Sequence, residues 1–287
     1  MYEVQRKSRN IAVVRIPYRN HFEQRFLCSA DRHWDNPLSD HEMQIKHLNL
    51  ALRYKAGIFD FGDLFCAMQG KWDKRSRKSE LRVEHKRDDY LDSLVDTAAD
   101  FFEPYAQRII MLGMGNHETG VLKKHEVNLT NRLCTVLNER TGSNIYNGGY
   151  SGWIHFQFVN EKNGHVTHKK LWYIHGYGGG GPVTRGVIQS NRKAVYLPDA
   201  DFVVSGHTHD QWILPIARTR LNDCSVQKLD EQIHISIPTY KDEYNDGYLG
   251  FHVESGRGPK PIGAIWMKFF KDSSTSPIEC SFYKAHG

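Results

Sequence analysis

The sequence predicts an α/β protein, and three observations indicate this class. Apolar runs typical of buried strands, at residues 25–30, 56–61 and 108–112, each lead into a polar motif. Segments with the apolar spacing of helices lie between these runs, and further strand-like runs follow His165. Because ligands of open α/β sheets gather beyond the carboxyl ends of strands, we expect the polar motifs to lie there.

Three segments are predicted to be helices: residues 39–55, about 79–102 and about 125–140. The first opens with Ser39 as N-cap and has Glu42 three residues later, as in a capping box. The second stops before Pro104, which cannot continue a helix, and the third ends before Gly142.

The second half of the chain is expected to be rich in strands. Four are predicted: residues 171–174, 202–205, 233–237 and 262–270. Residues 218–232 and 241–261 are expected to be loops. Within the latter, residues 256–261 are predicted to form a hairpin turn, with a flap beside the substrate as the alternative.

A single domain spanning residues 1–287 accounts for this pattern, because 39% hydrophobic residues provide a substantial core. Within it we predict a basic helical insertion at about 67–104 and a β-rich C-terminal part at about 231–287. No apolar run approaches the roughly 20 residues that span a bilayer, and residues 1–7 lack the apolar segment of a secretion signal. The five cysteines form no Cys-x-x-Cys pair. We therefore expect reduced thiols in a cytoplasmic protein without a membrane partner.

Five short motifs place Asp, Asn or His beside glycine: Asp31-Arg32-His33, Gly62-Asp63, Gly115-Asn116-His117-Glu118, His175-Gly176 and Gly206-His207-Thr208-His209. Carboxylate oxygens combined with imidazole nitrogens favour Mn²⁺, Fe, Zn²⁺ or Ni²⁺, whereas Mg²⁺ and Ca²⁺ prefer oxygen alone. Each motif alone is weak evidence, but their ordered combination predicts a site for two metal ions. The alternative is a set of loop glycines with satisfied polar neighbours and, for His175, a cap at a strand end. Asp63 is the candidate for the carboxylate that contacts both ions, flanked at one metal by Asp31 and His33.

In this order the motifs resemble those of the calcineurin-like metallophosphoesterase family: Asp-x-His, Gly-Asp-x-x-Asp, Gly-Asn-His-Asp/Glu, a lone His and Gly-His-x-His, over residues from about 25 to about 210. The resemblance implies two mixed β-sheets packed as a sandwich and flanked by helices. It also implies residue roles: a first metal held by Asp31, His33, Asp63 and His209, a second held by Asp63, Asn116, His175 and His207, and His117 as general acid. One departure is Cys66, which stands where the family commonly has a supporting Asp.

The implied reaction is hydrolysis of a phosphate ester by two divalent transition-metal ions, with Mn²⁺ expected first and Fe, Zn²⁺ and Ni²⁺ as alternatives. A hydroxide that bridges the metals attacks phosphorus, and His117 protonates the departing alkoxide. Imidazole suits this role because its ordinary pKa is about 6.5. Glu118 is expected either to orient a neighbouring imidazole or to be an acid at a helix start.

A basic stretch at residues 71–87 bears on the substrate. It contains eight Lys or Arg against three acids, a surplus of five that equals the net charge of the whole chain. This charge suits nucleic-acid phosphates, with Trp72 to stack on a base and Arg75 to contact a phosphate. A solvated helix start or a partner surface is the alternative.

A glycine run at residues 176–182 follows the proposed ligand His175 and precedes Arg185, Arg192 and Lys193. Glycines let the backbone approach a phosphate, and Arg185 is the candidate to pair with it. A mobile turn is the alternative.

These features predict a phosphoesterase that cleaves phosphodiester bonds of a nucleic acid or nucleotide. A phosphomonoesterase acting on a small-molecule or protein phosphate is the first alternative, since it needs only the metals and a positive pocket. A non-catalytic protein that binds nucleic acid or another partner on the same fold is the second, but it leaves the filled ligand positions unexplained.

Overall fold

The computed structural model describes residues 2–69, 73, 76, 81–179, 186–221, 224–248, 251–273 and 275–286. The strands within these ranges are β1 Glu3–Ser8, β2 Ile11–Tyr18, β3 Phe22–Ser29, β4 Gly57–Asp60, β5 Ile109–Gly113, β6 Tyr146–Gly149, β7 Ser151–Asn160, β8 Val166–Ile174, β9 Phe202–Ser205, β10 Trp212–Leu221, β11 Gln227–Ser236, β12 Ile265–Lys271 and β13 Glu279–Lys284. The helices are α1 His41–Arg53, α2 Tyr90–Phe102, α3 Asn116–His125, α4 Leu129–Thr141, α5 Val187–Tyr196 and α6 Phe251–Glu254.

The strands form two mixed sheets, which confirms the predicted architecture. One sheet has the order β1-β2-β7-β8-β9-β11-β10, and the other has the order β13-β12-β3-β4-β5-β6. Strands β3 to β6 are parallel, as are β8, β9 and β11. Parallel neighbours need long crossover connections, which α1 supplies between β3 and β4 and α2 between β4 and β5.

The two sheets pack face to face through a core rich in aromatic rings. The ring centroids of Phe26 on β3 and Phe156 on β7 are 5.3 Å apart, and those of Phe158 on β7 and Phe269 on β12 are 4.9 Å apart. Such pairs bury large apolar areas and add a favourable ring-to-ring attraction. This core fixes the position of one sheet relative to the other, and with it the positions of their strand ends.

Helices cover the outer faces of both sheets. Leu48 of α1, Leu94 of α2 and Leu133 of α4 are fully buried in the core on the outer face of the six-stranded sheet. On the seven-stranded sheet, α5 brings Tyr196 to within 6.3 Å of the Trp172 ring. The predicted flanking of the sandwich by helices is therefore present.

The predicted N-cap of the first helix was wrong by one residue. Helix α1 begins at His41, because the Asp40 carboxylate accepts a hydrogen bond from the Met43 N–H at 2.9 Å and is the N-cap. Ser39 instead donates its hydroxyl to the Arg32 carbonyl at 2.6 Å. Both residues are acceptable caps in sequence, so the choice depended on a tertiary contact.

The two later helices also begin further along the chain than predicted. Helix α2 begins at Tyr90, since a separate 3-10 turn forms at Val83–His85. The predicted segment 125–140 contains a helix end and a helix start, because Glu126 adopts a left-handed φ of 59° and Asn128 caps α4. Gly142, in a left-handed conformation with φ 66°, follows the end of α4.

The loop predicted at residues 218–232 was wrong. Strands β10 and β11 form a long antiparallel hairpin there, and Arg218 pairs across it with Asp230 at 2.9 Å. β10 is an edge strand whose residues alternate between half-buried and exposed, so polar side chains weaken its apolar signal.

Residues 256–261 do not form the predicted hairpin turn, because β11 and β12 lie in different sheets. Within this segment, Lys260 Nζ binds Asp210 Oδ1 at 2.6 Å, and Asp210 is the residue that follows His209.

The insertion at 67–104 and the C-terminal part at 231–287 stay predictions. The described part of the insertion contains the α-helix α2. Among the helices in the described ranges, none has the length and apolar character to cross a membrane.

Candidate metal centre

Strand ends from both sheets bring the predicted ligands together. In the six-stranded sheet, Asp31 and His33 follow β3, Asp63 follows β4, and Asn116 opens α3 after β5. In the seven-stranded sheet, His175 follows β8, and His207 and His209 follow β9. The predicted ligands therefore lie beyond the carboxyl ends of parallel strands, where the sequence placed them.

Five of the seven predicted ligands have a left-handed backbone: φ is 50° at Asp31, 43° at His33, 54° at Asp63, 70° at His207 and 58° at His209. Non-glycine residues in this region store strain on the order of 1–3 kcal/mol each, and they persist only where the surrounding structure enforces them. Such outliers cluster at functional sites. The backbone thus places these side chains at an energetic cost that the fold has to offset.

Asp31, His33 and His209 form a first group, whose ligand atoms all lie within 4.8 Å of one another. His209 Nε2 is 3.3 Å from Asp31 Oδ1 and 3.4 Å from His33 Nε2. Depending on the tautomer, one of these ring nitrogens can donate a hydrogen bond to the other, and the two nitrogens can instead coordinate one cation between them.

A second group contains Asp63, His175 and His207, again with ligand atoms within 4.8 Å of one another. Asp63 Oδ2 lies 3.1 Å from His175 Nε2. The Asn116 Oδ1 atom lies 2.7 Å from His207 Nδ1 and 3.3 Å from His175 Nε2, so the amide joins this group. These are the four residues that the family resemblance implies for the second metal.

The two groups are adjacent, because His175 Nε2 of the second lies 3.9 Å from Asp31 Oδ1 of the first. Asp63 belongs to the second group by its contacts, and its role as a bridge to a first metal stays a prediction. The seven predicted ligands therefore lie in a single cluster.

One buried atom tests whether these residues fit a metal. Asp31 Oδ2 accepts the His207 N–H at 2.8 Å, but Asp31 Oδ1 has no hydrogen-bond partner within the described part of the chain. A buried carboxylate oxygen without a donor is costly, and a cation is its natural partner. The mixture of carboxylate, amide and imidazole donors suits a divalent transition metal.

The titration of the second group supports the same fit. Burial acts to lower the pKa of His175, but the carboxylates of Asp63 and Asp31 outweigh it and raise that pKa to about 10. Burial acts to raise the pKa of Asp63, but His175 and His117 hold it well below its usual range. The two carboxylates therefore stabilise a positive charge at His175 Nε2. Its Nδ1 atom faces the Phe61 carbonyl at 3.1 Å, so Nε2 is left to meet a metal ion in place of that proton.

His117, the predicted general acid, lies at the edge of the cluster. Its Nδ1–H donates to the Cys66 carbonyl at 2.5 Å, and its Nε2 lies 3.8 Å from Asp63 Oδ2. The side chain is 10% exposed, so Nε2 is within reach of a bound molecule. The Cys66 position therefore contributes its backbone carbonyl to the orientation of His117.

Glu118 acts on the backbone, and the expectation that it orients an imidazole was wrong. Its buried carboxylate accepts hydrogen bonds from the N–H groups of Gly115, Asp63 and Phe65 at 2.8, 3.2 and 2.9 Å. The alternative prediction, that Glu118 is an acid at the start of a helix, is confirmed. Its hydrogen bonds also connect α3 to the loop that carries Asp63. Burial and the nearby Asp63 carboxylate raise the pKa of Glu118 to about 8.

Close approach explains two glycines of the motifs. A Cβ on Gly115 would overlap Asp63 Oδ1, and a Cβ on Gly206 would lie 2.5 Å from Asp31 Oδ2. Each glycine therefore lets a ligand carboxylate rest against the backbone of another strand end.

Sequence reasoning missed the buried pair beneath the first group. Arg32, between two proposed ligands, directs its side chain into the core, where Nε donates to Asp60 Oδ2 at 2.8 Å, with both side chains 1% exposed. Its other nitrogens donate to Gln44 Oε1 at 2.9 Å and Ser29 Oγ at 3.0 Å. The signal in the sequence was the charged Arg32 between Asp31 and His33, which could have indicated a buried ion pair.

A second missed cluster lies beside His209. Glu243 binds Lys241 Nζ at 2.7 Å through Oε1 and His252 Nε2 at 2.8 Å through Oε2. Burial opposes ionisation of Glu243, but His252 and Lys241 hold its pKa well below the usual range. His209, Glu243 and His252 have ligand atoms within 4.8 Å of one another. Their spacing in sequence carries no recognisable signature.

Trp72, Arg75 and Arg185, the predicted substrate contacts, lie outside the described residues. The same holds for most of the basic stretch before residue 81. Their roles stay predictions.

No protein-family model and no curated protein matches this chain. Among solved structures, it is similar to a Streptococcus pneumoniae protein described as a predicted phosphoesterase, with 11% identity and a TM-score of 0.34 over 92% of this chain and 90% of the other. It is similar to a Thermotoga maritima protein, with 13% identity and a TM-score of 0.32 over 91% and 99%. It is also similar to GAP50, the anchor in the inner membrane complex of Plasmodium, with 11% identity and a TM-score of 0.40 over 91% and 84%. Overlaps of this size assign the chain to no family and carry no argument about its activity.

Proposed function

We propose that this chain is a dinuclear metal-dependent phosphoesterase. The observation that carries the proposal is the convergence of two adjacent ligand groups with the His117 imidazole, whose Nε2 lies 3.8 Å from Asp63 Oδ2. The resemblance of the ordered motifs to those of calcineurin-like metallophosphoesterases supports the same reaction. Divalent ions at the two groups would supply Lewis acidity toward the phosphate and a nucleophile at neutral pH.

The chain's own residues would hold the two metal ions and orient the side chains that bind them. Asp31, His33 and His209 would hold one ion, and Asp63, Asn116, His175 and His207 the other. The Phe61 carbonyl fixes the His175 ring, and Glu118 fixes the loop of Asp63 through backbone N–H groups. Fixed ligands lose little freedom when an ion binds, which favours affinity.

His117 supplies the proton for the leaving oxygen. Its Nδ1–H bond to the Cys66 carbonyl sets the plane of the ring, so a proton on Nε2 is directed toward the cluster. A group that donates a proton must lie within hydrogen-bond reach of the departing atom, and a substrate whose leaving oxygen lies beside His117 Nε2 meets that condition.

Phosphodiesters of nucleic acid or nucleotide are the proposed substrates, with Mn²⁺ as the proposed metal. The surplus of five positive charges in the basic stretch 71–87 supports a polyanionic substrate. A small-molecule or protein phosphomonoester needs no such surplus.

The direct test is hydrolysis of bis-p-nitrophenyl phosphate and p-nitrophenyl phosphate by metal-stripped protein, with Mn²⁺, Ni²⁺, Zn²⁺ or Mg²⁺ restored one at a time. The proposal expects faster turnover of the diester with a transition metal. His117→Ala should lower kcat by a factor on the order of 10²–10⁴ while its metal content is unchanged. His125→Ala is the control, since His125 ends the same helix away from the cluster.

Faster turnover of the monoester would replace the diester assignment with a phosphatase. Full activity in His117→Ala would remove the proposed acid. Absence of bound metal in the wild-type protein at saturating Mn²⁺ would contradict the metal centre itself.

A further inference from the structure

A pocket opens beside the second ligand group. It lies against Gly176, Gly206 and Thr208, the neighbours of two proposed ligands. Helix α5 forms another wall with Gln189, Ser190 and Lys193. A molecule bound at the metal centre therefore has this pocket next to it.

Lys193 is the unusual residue of the pocket. It is only 5% exposed, and its ammonium makes no hydrogen bond or ion pair with any residue that the structure describes. Fully buried lysines are rare unless they are paired, because removing an ammonium from water is costly. Burial lowers the pKa of Lys193 to about 8, so the group is still mostly charged at neutral pH. A charge kept in this position, with no counter-ion among the described residues, favours binding of an anion from outside the chain.

The rest of the lining favours an anion. Among the described lining residues none is acidic, and Gly186 at the start of α5 brings the positive end of the helix dipole to the pocket. Trp212 also lines it, and its buried indole N–H has no hydrogen-bond partner in the described ranges. A helix start, an unpaired ammonium and an unused N–H donor are three independent features of an anion site.

We propose that this pocket binds a second phosphate of the substrate, next to the phosphate that lies at the metal centre. The inference rests on the proposed phosphoesterase function, and it narrows the substrate class to phosphodiesters that carry a neighbouring phosphate. Nucleotide chains have this chemistry and simple phosphate diesters do not. Free inorganic phosphate would be recognised by the same groups as a phosphate of the substrate. The experiment therefore has two arms, which distinguish a substrate phosphate from free phosphate.

The first arm measures binding. Inorganic phosphate is titrated calorimetrically into the full chain with Mn²⁺ present, for the wild type, Lys193→Met, Lys193→Arg and Asp63→Asn. We expect two phosphates per wild-type chain, the loss of one in Lys193→Met, its retention in Lys193→Arg, and the loss of the other in Asp63→Asn. Unchanged phosphate binding in Lys193→Met, or none in the wild type, overturns the pocket assignment.

The second arm measures turnover of the 5′-p-nitrophenyl ester of thymidine 5′-phosphate with and without a 3′-phosphate. Lys193→Met should lower kcat/KM for the 3′-phosphorylated ester on the order of ten-fold or more, and leave the other ester within about two-fold. Arg192→Met is the matched control, because Arg192 is the preceding residue of α5 and is exposed. Equal effects of Lys193→Met on both esters overturn the substrate assignment, and Lys193-dependent phosphate binding would then belong to free phosphate.

The two proposals fail in different ways. If the wild type turns over neither ester, the phosphoesterase function is contradicted, while Lys193-dependent binding in the calorimeter still reports an anion site. Loss of folding is not an expected complication. Replacing a largely buried lysine by an apolar chain of similar length should leave the melting temperature of Lys193→Met equal to or above that of the wild type.

Discussion

The Asp63 carboxylate contacts both a proposed metal ligand, His175, and the proposed general acid, His117. One oxygen faces His175 at 3.1 Å and the other accepts the His117 N–H at 3.0 Å, while its own N–H donates to Glu118. A carboxylate in this position organises both the proposed ligands and the proposed acid. The site requires the negative charge and the two oxygens of this carboxylate, and a side chain of equal volume without them would not replace it.

Asp63→Asn should therefore abolish activity and remove bound metal, because an amide brings neither the negative charge nor a second oxygen. The matched change is Cys66→Ala, which keeps the backbone carbonyl that binds His117 and should retain most activity. Metal content by mass spectrometry and turnover of bis-p-nitrophenyl phosphate measure both effects. Full activity in Asp63→Asn would contradict the assignment.

The buried pair of Arg32 and Asp60 supports the ligands from beneath. Burial raises the pKa of Asp60, and Arg32 opposes that rise, so the ionised pair depends on both partners. Arg32→Met should lower the free energy of unfolding by about 3–5 kcal/mol, because it leaves a buried carboxylate without its cation. Urea denaturation measures the change. Arg53→Met, at an exposed position at the end of α1, should cost less than about 0.5 kcal/mol, and equal losses in the two variants would argue against the buried pair.

At the scale of elements, the connection from β5 to α3 delivers Asn116 and His117 to the cluster. Gly115 permits this connection because Asp63 Oδ1 rests against its Cα. The sequence showed a glycine before Asn-His-Glu, but the reason for that glycine lies in a loop more than fifty residues earlier in the chain.

Gly115→Ala should displace the Asp63 carboxylate, so we expect lower Mn²⁺ affinity and lower activity. Gly120→Ala in the same helix is the matched control, since a Cβ there meets nothing within 4 Å. It should leave metal affinity unchanged and stabilise the protein by about 1 kcal/mol, the difference in helix propensity. Titration with Mn²⁺ followed by thermal denaturation checks both. Equal metal affinity in the two variants would rule out the close approach as the cause.

Elements were predictable where burial is uniform and were missed where it alternates. β9 was predicted with its observed bounds because all of it is apolar except the terminal Ser205. The hairpin of β10 and β11 was taken for a loop because its outer half pairs polar side chains such as Arg218 and Asp230 across the two strands. Helix starts were misplaced because several nearby residues are acceptable caps, and a tertiary contact selected one.

At the scale of the molecule, metal binding should be coupled to stability, because the ligands come from both sheets. An ion that binds only the folded chain stabilises it by about 2.7 kcal/mol at a concentration one hundred times its dissociation constant. For a chain of this size we expect Mn²⁺ to raise the melting temperature of metal-stripped protein by on the order of 5 °C or more. Differential scanning calorimetry measures the shift. The same shift in Asp63→Asn would mean that Mn²⁺ acts elsewhere.

Acid sensitivity of the metal-stripped protein should depend on His47. The side chain is fully buried beside the Tyr240 hydroxyl at 2.7 Å, and burial, followed by Arg32, lowers its pKa to about 4. The unfolded chain takes up a proton near pH 6.5 and the folded chain only near pH 4. The free energy of unfolding should therefore fall as the pH drops from about 6.5 to 4. His47→Gln keeps a hydrogen-bonding side chain without the titration, so its loss of stability over this interval, followed by urea denaturation, should be smaller; an identical loss would exclude His47.

The sequence by itself determined the α/β class and the residue types of the candidate centre, because ligand chemistry and the need for glycine at strand ends are local properties. The resemblance of its motifs to a known family implied two ligand groups, and the structure brings their members together: Asp31, His33, Asp63, Asn116, His175, His207 and His209. Only the tertiary structure decided the partners of Arg32, the backbone role of Glu118 and the unpaired ammonium of Lys193. Those features depend on contacts between segments far apart in the chain, which are fixed when the two sheets pack and which no local pattern encodes.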